Sequence, residues 1–110
     1  MRFYHNTRCS KSRQALTLLE ERSVGVDIIR YIEVGIVEED LQTLAKLDGI
    51  IRKKEAGAEA MRKLQTEADI IELLRMKPIV LERPVLIVNN TAVIGRPPED
   101  ILALLEARSH

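Results

Sequence analysis

Met1-Arg2-Phe3-Tyr4-His5-Asn6-Thr7-Arg8-Cys9-Ser10-Lys11-Ser12-Arg13 opens the chain and decides how the rest is read. Residues 1–4 are a short strand candidate, residues 5–11 are polar and turn-like, and a helical pattern begins near Ser12. Cys9, the one cysteine of the sequence, sits at that junction. Arg2, Arg8, Lys11 and Arg13 fall in the same stretch with no carboxylate, so a basic patch surrounds the thiol. Over the whole chain 17 basic residues balance 17 acidic ones, which leaves no global field to recruit nucleic acid or an anionic membrane.

Working outward, Ala15, Leu16, Leu18 and Leu19 form the apolar stripe of an amphipathic helix over 12–22, opposed by Arg13, Gln14, Glu20 and Glu21. Residues 26–32 are apolar and β-branched after Gly25 and predict a strand closed by Gly35, so the chain opens β-α-β. Leu41, Leu44, Ala45 and Leu47 repeat the helical spacing over 38–47 before Asp48-Gly49. Short helices are expected over 50–55 and 58–64, and a clearer one opens at Thr66-Glu67-Ala68-Asp69 and ends before Pro78. Residues 84–88 and 91–94 read as a hairpin around Asn89-Asn90, and Pro97-Pro98-Glu99-Asp100 starts a last helix. The order predicts an α/β fold: a thioredoxin-like mixed β-sheet flanked by helices, with an inserted helical segment over about 36–78 of a single 1–110 domain.

Apolar residues make up 45% of the 110 and charged residues 31%, a soluble composition, and no apolar run approaches a membrane span. The first residues carry no apolar signal core, so a reducing cytoplasm is the expected compartment. No aromatic-rich exposed patch stands out, so a monomer is expected.

A thiol attacks as thiolate, and an ordinary cysteine is mostly protonated at neutral pH. Cys9 just before a helix meets unpaired backbone amides and the positive end of the helix dipole, and the same loop suits a bound oxyanion. Arg8, Lys11 and Arg13 reinforce that field, His5 stands near, and Ser12 offers a hydroxyl. The competing reading is an inert core cysteine; the polar residues on both sides of Cys9 argue against it. Two histidines, one of them His110 at the end of the sequence, and one cysteine make no metal-ligand set.

The loop from Tyr4 to Arg13 closely resembles the active-site loop of ArsC-type, glutaredoxin-coupled arsenate reductases. Glu82-Arg83-Pro84 and Ile94-Gly95-Arg96-Pro97-Pro98 resemble that family's two later arginine-proline motifs. The three blocks match in order and span nearly the whole chain. The resemblance implies that Cys9 is the nucleophile, that His5, Ser12 and Arg13 surround it, and that Arg52, Arg83 and Arg96 cradle the oxyanion. It implies arsenate as substrate, glutathione as co-substrate, glutaredoxin as protein partner, no bound cofactor, and a cis bond at Arg83-Pro84. Guanidinium groups suit this task because a tetrahedral anion needs several charge-assisted donors in fixed geometry.

Two departures from the family pattern stand out. Thr7 replaces a usual proline before the nucleophile, and the segment between Lys46 and Arg52 is shorter, which bears on whether Arg52 reaches the anion. Two other functions share Cys9: a glutathione-dependent thiol oxidoreductase of another substrate, and a regulator like Spx, which binds RNA polymerase and senses oxidation through a Cys-x-x-Cys pair. Ser12 stands at the second position of that pair, which removes an intramolecular disulfide switch.

Overall fold

In a computed structural model, residues 1–108 are described, with side chains as far as Leu105; His110 lies outside the described residues. The strands are β1 (Arg2–Tyr4), β2 (Asp27–Ile29), β3 (Val85–Val88) and β4 (Thr91–Ile94), in the sheet order β2-β1-β3-β4. β1 pairs parallel with β2 and antiparallel with β3, and β3 pairs antiparallel with β4, making the mixed sheet expected from the sequence. The helices are α1 (Ser10–Glu21), α2 (Tyr31–Val34), α3 (Leu41–Ala45), α4 (Lys53–Ala56), α5 (Ala58–Lys63), α6 (Glu67–Met76) and α7 (Leu102–Arg108). Single 3-10 turns at Glu38–Asp40, Pro78–Val80 and Pro98–Ile101 lead into the next segments.

Strand alternation gives the sheet two buried faces. Phe3, Leu86 and Val88 pack with Ala15 and Leu19 of α1 and with Ile101. Tyr4, Val85 and Ile87 point the other way, onto Leu41 and Leu44 of α3 and Leu74 of α6. The inserted helices therefore cover one face while α1 and the C-terminal segment cover the other. α6 starts where the sequence places it, because Thr66 and Asp69 close a reciprocal capping box.

Two elements depart furthest from the sequence reading. The strand expected over 26–32 stops at Ile29, and Tyr31 begins a helical turn. β2 is an edge strand whose one partner, β1, has three residues, and the His5 amide donates to the Ile29 carbonyl (2.9 Å) where that partner ends. The helix expected over 50–55 begins only at Lys53. Ile50 and Ile51 are buried and extended, bridging Leu81, with Arg52 N donating to the Val80 carbonyl (2.7 Å) and Glu82 N to the Ile50 carbonyl (2.7 Å).

Arg2 also leaves the basic patch assigned to it. Its guanidinium forks onto Asp40 at 2.7 and 2.6 Å, and Tyr4 Oη donates to the same carboxylate at 2.5 Å. The fork clamps β1 to the start of the helical insert, so the cations near the thiol come from elsewhere.

Candidate active site

Cys9 is the N-cap of α1: its backbone is extended, and its carbonyl accepts the first helical hydrogen bond, from Arg13 N (3.0 Å). α1 starts at Ser10, earlier than the stripe of apolar residues suggests, because the polar first turn has no hydrophobic signal to mark it. The half-buried sulfur thus faces the amide end of α1. Burial pushes the thiol pKa up. The Ser12 amide, the Arg83 guanidinium, the Lys11 amide and the charge of Arg96 oppose that and outweigh it, so Cys9 titrates below the ordinary thiol value.

The loop before Cys9 is held by a small buried network. Ser12, fully buried on α1, brings its hydroxyl 2.6 Å from His5 Nδ1 and accepts from Asn6 N (3.0 Å). The Asn6 side chain accepts from Arg8 N (2.9 Å), and Arg13 Nη1 donates to the Thr7 carbonyl (2.9 Å). These contacts shape the turn at Thr7, where a rigid imino acid is absent. His5 stacks on Phe3, with ring centroids 5.7 Å apart, and burial, followed by the charges of Arg30 and Arg13, lowers its pKa. Its imidazole is held neutral, and its polar contact is with Ser12.

Arg83 and Arg96 come to the thiol from the far end of the chain. Arg96 Nη2 lies 3.7 Å from Cys9 Sγ, while Arg96 Nε donates to the Arg83 carbonyl (2.8 Å) and lies 3.1 Å from Glu82 Oε1. Gly95 makes this approach possible. A Cβ there would fall 2.8 Å from Pro84 Cγ and 3.0 Å from Ile101 Cγ2, so only glycine lets the two arginine-proline segments close on each other. Both Arg83-Pro84 and Arg96-Pro97 are cis; the resemblance implied the first alone.

Arg83 is in an unusual state. Its Nε and Nη1 are buried without a hydrogen bond, and the nearest carboxylate is Glu55 Oε1 at 3.7 Å. Buried donors are normally paired, so this group marks a place prepared for an acceptor. The Tyr31 hydroxyl is likewise buried without a hydrogen-bond partner, in electrostatic reach of Arg83, Asn6 and Cys9.

Arg52 occupies the outer part of the cluster. The strand-like pairing of Ile51 with Leu81 holds it beside Glu82 despite the short preceding segment. Its Nε and Nη1 lie 3.2 Å from Glu55 and 3.2 Å from Glu82. Arg52 therefore meets Arg96 through a shared carboxylate, and its side chain contacts Glu55 and Glu82 rather than the thiol.

Sequence reasoning missed Tyr31, Glu55 and Glu82 as parts of this constellation. Tyr31 lay inside an expected strand. Glu82 sits directly before the first arginine-proline pair, the one signal that would have singled it out.

The ArsC family model matches residues 4–104 of the chain. An arsenate reductase of Neisseria meningitidis is 35% identical to it over 96% of this chain and 97% of that protein. An arsenate reductase of Haemophilus influenzae is 32% identical over 93% of this chain and 96% of that protein. Among solved structures, an arsenate reductase from Vibrio cholerae superposes with a TM-score of 0.78 at 30% identity, covering 94% of this chain and 97% of that one.

Proposed function

The chain belongs to the ArsC family, and from that premise we propose that it reduces arsenate to arsenite through the Cys9 thiolate. One observation carries the reading: a thiol of lowered pKa at a helix N-terminus stands beside Arg96 and beside Arg83, whose buried Nε and Nη1 have no hydrogen-bond partner among the described residues. A tetrahedral oxyanion supplies the acceptors those donors lack, next to the atom that attacks it.

In this mechanism the Cys9 thiolate displaces one arsenate oxygen, which leaves as water after protonation, and a sulfur–arsenic(V) bond forms. Arg83 and Arg96 hold the remaining oxygens. A glutathione thiolate then attacks the Cys9 sulfur. The S–As electron pair falls onto arsenic, releasing arsenite and leaving a Cys9–glutathione disulfide. Glutaredoxin takes the glutathione and restores the thiol. The sequence holds a single cysteine, so the second sulfur comes from another molecule. Arg13, Ser12 and His5 act through the loop, keeping Cys9 in register with the amides of α1, and Arg52 acts by sharing Glu82 with Arg96.

The test is arsenate-dependent NADPH oxidation coupled through glutathione, glutaredoxin and glutathione reductase. Wild-type turnover that disappears in Cys9→Ser and falls steeply in Arg83→Ala supports the reductase. An inactive wild type whose Cys9 still forms a disulfide with glutathione supports a thiol oxidoreductase of another substrate.

A further inference from the structure

We propose that the cleft between the 5–8 loop, α2 and the Pro78–Val80 turn is the glutathione-binding site, with Arg8 and Arg30 receiving the peptide's two carboxylates and Glu33 its ammonium group. The proposal rests on reading Cys9 as a thiol nucleophile and assigns where the second thiol comes from.

The cleft measures about 420 Å³, within the range of small-molecule sites. It adjoins the nucleophile: Arg8 immediately precedes Cys9, and Arg83, which acts on the sulfur, lines the cleft's inner wall. Its walls are chemically mixed. Ile32 and Ile79, 49% and 43% exposed, face it from α2 and from the 78–80 turn and supply its apolar part.

The charges are unsatisfied. Arg2, Arg52, Arg75, Arg83 and Arg96 each have a carboxylate within ion-pair distance, whereas neither Arg8 nor Arg30 pairs with any described carboxylate. Glu33, one turn away on α2, likewise has no ion-pair partner among the described residues. The cleft therefore offers two free guanidinium groups, one free carboxylate and an apolar flank. Glutathione carries two carboxylates, one ammonium and a short methylene stem ending in the thiol, which is the complementary set. Inorganic oxyanions lack the ammonium and the stem, so the cleft is matched to the thiol peptide rather than to a second arsenate.

S-methylglutathione, which binds without reacting, is the probe. It should slow iodoacetamide alkylation of Cys9 in the wild-type protein and lose about tenfold of its affinity in Arg30→Glu, as expected for a charge-assisted pair. A second measurement follows the covalent step. The Cys9 thiolate attacks oxidised glutathione, the Cys9–glutathione disulfide forms, the original S–S bond breaks, and one glutathione thiolate leaves. Arg30→Glu should slow this reaction about tenfold, and its reaction with the neutral 2-hydroxyethyl disulfide should stay within about twofold of wild type. No protection by S-methylglutathione, or equal slowing of both disulfides by Arg30→Glu, overturns the proposal. Neither readout uses arsenate, so intact protection in a protein without arsenate turnover removes the reductase reading and leaves this site standing.

Discussion

Arg96 Nη2 stands 3.7 Å from Cys9 Sγ although the two residues are 87 positions apart in sequence. With Arg83 it helps offset the burial that pushes the thiol pKa up. Removing either cation disfavours the thiolate, so the pH midpoint of Cys9 alkylation should rise in Arg96→Ala and in Arg83→Ala. A rise of about one unit corresponds to about 1.4 kcal/mol of lost preference for the thiolate. Iodoacetamide rates between pH 5 and 10 read this directly; an unmoved midpoint would show that the α1 amides suffice.

Glu82 is the hub of the arginine cluster, close to Arg52 Nη1 and Arg96 Nε and accepting from Arg83 N at 3.1 Å. Glu82→Ala should cost about 1–3 kcal/mol of stability and weaken arsenate binding, since Arg96 loses its tether. Glu82→Gln still accepts the Arg83 amide and should lose less. Urea titrations beside arsenate KM values give both quantities.

Asp40 provides a control far from the chemistry. It is 2% exposed and receives both Arg2 and Tyr4. Asp40→Asn should destabilise the protein by about 2–4 kcal/mol, because a clamping ion pair is broken, and should leave the Cys9 alkylation midpoint where it was. Chemical denaturation and the alkylation profile, run together, separate the two effects.

The Tyr31 hydroxyl is buried without a hydrogen-bond partner. Tyr31→Phe removes an unsatisfied group while keeping the ring, so thermal unfolding without ligand should show unchanged or higher stability, by up to about 1 kcal/mol. A clear loss of stability would mean that the hydroxyl is paired in solution.

His5 sets one limb of the pH dependence. Burial, then the charges of Arg30 and Arg13, lower its pKa, so the folded protein holds it neutral while the unfolded chain protonates it below the ordinary value near 6.5. The unfolded state then binds more protons, and stability should fall as pH drops below that value, until the folded pKa is reached. His5→Gln should flatten this limb in urea titrations at pH 7 and pH 5.5.

Much of this architecture was legible because it rests on local patterns. The apolar stripe of α1, the capping residues Thr66 and Asp69, and the Asn89-Asn90 turn each encode their element within a few positions. The place of Cys9 at a helix start was legible for the same reason, since strand, polar turn and helix follow each other directly around it. Non-local effects were not. Three-residue β1 limits how far β2 can pair, and so Tyr31 turns helical despite its β-branched neighbours. Ile50 and Ile51 carry helical spacing in sequence, yet bonds to the 80–82 segment hold them extended.

What the sequence by itself determined is the element order and the position of Cys9 at a helix start, both of which depend on neighbours along the chain. What only the tertiary structure decided is which charges stand around that thiol. Arg2, a member of the basic stretch around Cys9 in the sequence, is captured by Asp40, while Arg83 and Arg96 arrive from the other end because Gly95 lets their segments meet. Charge acts through space, and its partners follow from packing rather than from spacing in the chain.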